Sequence, residues 1–145
     1  MLSLDTNLLI YARLESSPWH ASARGFLESL ATDSRVVIAE LVLVEFYLAL
    51  RNPAIMDPPL DAAAAVAECQ WFRAQPHWAL VEQADVMETV WRDAAGHNFA
   101  RRRIMDARLA RTLQAHGVTE FATANVKDFQ DLGFTRVWNP LASGS

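Results

Sequence analysis

The chain has a single cysteine, Cys69, and a single lysine, Lys127, in 145 residues. One thiol cannot close an internal disulfide, so no disulfide framework supports the fold. Cys69 reads as an ordinary buried or half-buried thiol. No apolar run approaches the ~20 residues of a membrane span. The start, Met1-Leu2-Ser3-Leu4-Asp5, lacks the basic region and small-residue cleavage site of a secretory signal. A cytoplasmic location is therefore expected. Positive charge is also scarce. Thirteen Lys and Arg against 17 Asp and Glu leave a formal net charge of −4. That excludes a protein that holds nucleic acid through a broad basic surface. It leaves room for an enzyme that meets nucleic acid through bound metal and a local patch such as Arg101-Arg102-Arg103. No two histidines have zinc-ligand spacing. His20, His77, His97 and His116 are scattered and read as surface or helix-end residues, with His97 alone standing beside arginines. Repeats, low-complexity segments and long linkers are absent.

What is present fits one domain over residues 1–145, with 52% hydrophobic residues to build a core. Met1–Asp5 is a short apolar run ending in a carboxylate. Thr6 and Asn7 are capping types ahead of a helical stretch from Leu8 to Leu14. Trp19–Ala31, Glu40–Leu50, Leu60–Ala74, Ala84–Ala95 and Ile104–His116 read as helices, with Gly96 and Gly117 as stops. Val36–Ile38, Ala79–Val81, Glu120–Thr123 and Arg136–Trp138 read as short strands. The three prolines within Asn52–Pro59 mark a loop, and Asn125–Gln130 a turn or short helix. Short apolar strands alternating with helices predict a parallel sheet covered on both faces. In such sheets ligands bind at the carboxyl ends of the strands.

Several acids fall where that rule directs attention. Asp5 follows the first strand, and an N-cap role accounts for it equally well. Glu45 has Leu41, Val42, Leu48 and Ala49 at i−4, i−3, i+3 and i+4, which places it in the buried stripe of its helix. A buried carboxylate is costly unless paired or metal-bound; an ion pair with an arginine is the other explanation. Asp106 has Leu109, Ala110 and Leu113 at i+3, i+4 and i+7, so it too faces inward. A helix-dipole role would also place it there. Thr123, Asn125 and Asp128 bring oxygens to a strand-to-helix turn, where plain turn chemistry is the alternative. Converging carboxylates repel by about 4 kcal/mol at ~4 Å and an effective dielectric of ~20. A hard cation with oxygen ligands, Mg²⁺ or Mn²⁺, relieves this best. Trp19, Trp71, Trp78, Trp91 and Trp138 are expected to fill the core or a dimer interface rather than stack on bases.

Four segments, in this order, carry a resemblance over nearly the whole chain. They are Leu4-Asp5-Thr6-Asn7; Leu41-Val42-Leu43-Val44-Glu45-Phe46 with Asn52-Pro53; Asp106-Ala107-Arg108-Leu109-Ala110; and Thr123-Ala124-Asn125-Val126-Lys127-Asp128-Phe129. The sequence resembles the PIN domain and, within it, the VapC-type toxins of bacterial toxin–antitoxin pairs. The resemblance implies a three-layer α/β/α sandwich with a mainly parallel, short-stranded sheet. It implies a Mg²⁺-dependent endoribonuclease, with Mn²⁺ as a substitute, in which metal-activated water attacks the phosphodiester. The family's acids map onto Asp5, Glu45 and Asp106. Its fourth acid falls at Asn125, with Asp128 three residues on to supply the charge. Asn7 and Thr123 would position ligands, and Arg102 and Arg103 would contact phosphate. A homodimer and a small VapB-like antitoxin are the implied partners.

A dehalogenase-type phosphatase needs a second acid two residues after Asp5, where Asn7 stands. A receiver-type phosphoacceptor needs paired acids near the first strand. A catalytically impaired PIN fold acting as an interaction module remains open because of Asn125.

Overall fold

The computed structural model describes residues 1–141; residues 142–145, the end of the expected domain, lie outside the described residues. The element order is β1 (Leu2–Leu4), α1 (Thr6–Arg13), α2 (His20–Ser29), β2 (Val37–Ala39), α3 (Glu40–Leu50), α4 (Ala62–Arg73), β3 (Ala79–Val81), α5 (Met87–Ala94), α6 (Arg103–Ala115), β4 (Glu120–Ala122), α7 (Val126–Phe129) and β5 (Arg136–Trp138). Each strand and helix anticipated from the sequence is present, with ends shifted by up to three residues. The largest shift is at α5, which starts at Met87 rather than Ala84.

The strands form a three-stranded parallel sheet, β1-β4-β5, and a parallel pair, β2-β3. A parallel bridge between Leu2 and Val36 joins the two, so the lateral order reads 3-2-1-4-5. The chain winds outward to one side from β1 and then restarts on the other side at β4. This reversal leaves a crevice at the carboxyl ends of β1 and β4, where an open α/β sheet binds its ligand. Two main-chain bonds fix its walls: Asp5 N–H donates to Ala122 O at 2.9 Å, and Thr123 N–H to Trp138 O at 2.9 Å.

β1 and β2 are buried at every position, as strands covered on both faces should be. β3 and β5 lie at the edges and are only partly covered. On one side α1 packs on α2 and α3, and α3 on α4; on the other, α6 packs on α5 and α7. Leu4, Leu8, Ile38, Phe46, Leu113 and Phe121 are fully buried between these layers. Phe121 stacks on Phe134 at 5.1 Å and meets Phe129 at 4.6 Å, which anchors the short α7 beneath the site. Gly117 ends α6 at φ +88°, where a Cβ would stand 3.0 Å from the Met1 side chain, so the helix stop read from the sequence has a backbone cause.

The tryptophans divide between half-buried and exposed positions. Trp78 is half-buried, with its indole N–H donating to Leu30 O at 2.9 Å, and Trp138 is half-buried too. Trp19, Trp71 and Trp91 are 47%, 61% and 58% exposed and do not fill the core. They lie on outward helix faces or at helix starts, which composition cannot separate from core positions. No helix among the described residues is long and apolar enough to cross a membrane.

Candidate functional site

Asp5 leaves β1 at the reversal point and is the N-cap of α1. Its Oδ1 accepts from Thr6 N at 2.8 Å. An ordinary cap reaches one or two residues further into the helix, so capping does not occupy the whole carboxylate. Oδ2 turns to β4, accepting from Thr123 Oγ1 at 2.7 Å and from Asn7 Nδ2 at 3.3 Å. Thr123 is fully buried and also accepts from Asn125 N at 2.9 Å. Asn7 Oδ1 accepts from Ala124 N at 3.3 Å. Asn7 and Thr123 thus hold Asp5 in one orientation and tie it to the β4–α7 turn. Thr6 was read only as a capping type. Its buried hydroxyl donates to Glu45 Oε2 at 3.1 Å, linking α1 to α3. That link joins positions 39 residues apart, and nothing in the local pattern could have revealed it.

Glu45 is half-buried rather than inside the core stripe of α3. Val42 and Ala49 beside it are buried, but Leu48 is 61% exposed. The helix is apolar on nearly every face, so spacing alone could not locate the water. Asp106 is half-buried in the first turn of α6, over buried Ala107, Leu109 and Ala110. No hydrogen bond to its carboxylate occurs among the described residues, and its place in the first turn of α6 also suits the helix dipole. None of the six ion pairs among the described residues includes Asp5, Glu45, Asp106 or Asp128.

Asp5, Glu45, Asp106, Asn125 and Asp128 line one open cleft of about 450 Å³, along with Thr6, Asn7 and Asn52. Their electrostatics reflect the crowding. Burial, then the charge of Asp128, raise the pKa of Asp5, against bonds from Thr123 and Thr6 that lower it. Burial and Asp5 raise Glu45. Burial first, then the charges of Asp128, Asp5 and Glu45, push Asp106 up to about 6. Arg103 acts in the opposite direction on Asp106. Carboxylates held in an unfavourable ionised state beside one another could serve as ligands for a hard cation. Among the described residues no group of three or more His, Cys, Asp or Glu side chains stands close enough together to hold a metal ion by itself. An open, one-sided set suits an ion that retains several waters, as Mg²⁺ does.

Arg102 and Arg103 differ. Arg102 is exposed and has no partner among the described residues. Arg103 is engaged: its Nε and Nη2 donate to Asp128 O at 3.3 and 3.0 Å, and its guanidinium stands 5.5 Å from the Phe99 ring centroid. His97 is exposed outside the cleft lining. His20 and His116 bond main-chain oxygens of Tyr11 and Glu82.

Known proteins resemble this chain in sequence and fold. Residues 2–134 match the PIN domain model. Ribonuclease VapC24 of Mycobacterium tuberculosis (strain ATCC 25618 / H37Rv) is 50% identical over 143 residues, covering 99% of each chain. Ribonuclease VapC48 of the same strain is 25% identical over 142 residues, covering 97% of each. Among solved structures, M. tuberculosis VapC20, described as a sarcin-ricin loop cleaving toxin, superposes with TM-score 0.64 at 19% identity, over 83% of this chain and 87% of that one. FitAcB from Neisseria gonorrhoeae superposes with TM-score 0.64 at 19% identity, over 97% and 98%. At that identity these two speak to the fold, a PIN-type α/β/α sandwich. The family model over nearly the whole chain and the 50% identical relative together establish that this chain belongs to the PIN-domain family, within its VapC group.

Proposed function

We propose that the chain is an endoribonuclease, the toxin of a toxin–antitoxin pair, whose acidic cleft works with a divalent cation, Mg²⁺ or Mn²⁺. The observation that carries this is the unpaired state of Asp5, Glu45 and Asp106 in one cleft, with all three pKa values raised. The names of the VapC24 and VapC20 relatives support RNA as substrate. Asp5 and Asp106 would hold the ion, with Glu45 beside it and Asn125 or Asp128 closing the open side. Bound there, the ion lowers the pKa of its water and offsets charge on the phosphate. The chain's own residues supply the order. Thr123 and Asn7 fix the Asp5 carboxylate, and Thr6 fixes Glu45, so neither must be arranged during the reaction. Arg102, exposed beside α6, would contact a phosphate oxygen of the RNA backbone.

The test is cleavage of RNA by wild type and Asp5→Ala in Mg²⁺, Mn²⁺ and EDTA. Metal-dependent cleavage lost in the variant supports the reading; a folded wild type inactive with either ion rejects it.

Partner surfaces are legible too. An apolar groove of about 770 Å³ runs between α1, α2 and α4, floored by Leu9, Phe46 and Phe72 and edged by Trp71. Its charged edges, Arg13–Glu68 and Arg24–Glu28, are already paired. It would take the apolar face of an antitoxin helix. Val44 and Leu48, 53% and 61% exposed one turn apart on α3, form the face we assign to a homodimer. Light scattering of wild type and Val44→Glu tests the dimer: a monomer in the variant supports it, an unchanged dimer rejects it.

A further inference from the structure

Arg103 opens α6 one turn before Asp106 and reaches across to α7. Two donors of its fork meet one acceptor, the main-chain oxygen of Asp128, at 3.3 and 3.0 Å. Its guanidinium rests over Phe99 at 5.5 Å, which limits the directions it can take. What it holds has little hold on itself. α7 has four residues, Val126–Phe129, too few to repay helix nucleation from its own hydrogen bonds. Phe129 anchors one side of it in the core, while Asn125 and Asp128 are exposed on the cleft side. Those two residues complete the acidic cleft.

We infer that Arg103 is a positioning residue that clamps α7 to α6 and so keeps the Asp128 carboxylate in the cleft it shares with Asp106. This rests on the metal-binding reading of that cleft. It also reassigns Arg103, taken from the sequence as a phosphate contact. Its fork is committed to a carbonyl, whereas Arg101 and Arg102 are exposed with no partner among the described residues. The bond is to main chain, so neutralising the Asp128 side chain leaves the clamp intact while removing the carboxylate that it serves. That separates the two contributions.

The experiment is Mn²⁺ titration by calorimetry into the full chain, for wild type, Arg103→Ala, Asp128→Asn and the double variant, with Arg103→Gln as a second test should the alanine not fold. Loss of a residue that orients a ligand weakens metal by roughly 10- to 100-fold, and that is the expected effect of Arg103→Ala or Arg103→Gln. In the Asp128→Asn background the same change should cost no more than about twofold, because the two act through one group. For RNA, kcat should fall while KM stays close to wild type. Undiminished Mn²⁺ affinity in Arg103→Ala with a raised KM would overturn the inference and return Arg103 to phosphate contact. A wild type that binds no Mn²⁺ removes the metal reading, and this inference with it.

Discussion

Carboxylates on the frame of this molecule and those in its cleft are treated in opposite ways. On the frame, Asp93 takes both forks of Arg111, at 2.8 and 2.9 Å, Glu68 takes Arg13 at 2.6 Å, and Glu40 takes Arg73 at 2.8 Å. Asp33, bonded to Arg35, has its pKa lowered to about 2, chiefly by those hydrogen bonds. In the cleft, Asp106 is pushed up to about 6 and Asp5 and Glu45 are raised, with no ion pair for any of them. Twelve of the chain's 13 basic residues are arginines, so partners were available. Bonds from Thr123 and Thr6 and the charge of Arg103 favour the ionised forms, but burial and mutual repulsion outweigh them. The difference separates carboxylates that hold the frame from carboxylates left without an ion pair.

The sharpest way to break the contrast is to remove a cleft acid. Asp5→Asn and Asp106→Asn should each lower metal-dependent RNA cleavage by at least roughly 100-fold, since residues that merely orient ligands already cost up to that much. Initial rates on a labelled RNA check it, and rates within threefold of wild type would count against a role in the cleft. Next in size is stabilisation by metal. Mn²⁺ at about 100 times its dissociation constant should stabilise wild type by about 2.7 kcal/mol, and Asp5→Asn by far less, read as melting temperature against concentration.

A smaller effect sharpens the contrast from the other side. Without metal, ionised Asp106 is a burden on the fold. Its pKa is raised above the unfolded value, so its protonated form stabilises the native state fully below about 3.8, and that stability is lost as pH rises through about 6. Asp106→Asn should therefore melt higher than metal-free wild type at pH 7.5 and close to it at pH 4. On the frame the signs invert: Arg111→Met strands half-buried Asp93 and should cost on the order of 1–3 kcal/mol. Arg24→Gln, at an exposed i,i+4 pair with Glu28, should cost less than about 0.5 kcal/mol in urea unfolding.

Much of this was readable in the chain. Strand and helix positions followed from apolar runs and helix stops, and the inward spacing around Asp106 correctly placed it over Leu109 and Ala110. Glu45 misled, because α3 is apolar almost all round and only packing shows that Leu48 is exposed. The lateral strand order, and hence the nearness of Asp5 to Thr123 across 118 positions, is a property of winding that no local pattern records. The Thr6–Glu45 bond and the Arg103–Asp128 clamp join distant segments in the same way. Exposed Trp71 and Trp91 share their composition with core residues, so their place on outward faces had no local signature.

The central claim is that the unpaired cleft acids await a divalent cation. Calorimetric titration of Mn²⁺ into metal-free wild type and Asp106→Asn, at pH 7.5 and pH 5.5, tests it most directly. A single group titrating near 6 competes with metal. Wild type should therefore bind at pH 7.5, bind about fourfold more weakly at pH 5.5, and release protons on binding at the lower pH. Asp106→Asn should bind far more weakly and lose that proton release. Equal binding by wild type and variant, or none by wild type at millimolar Mn²⁺, would contradict the account.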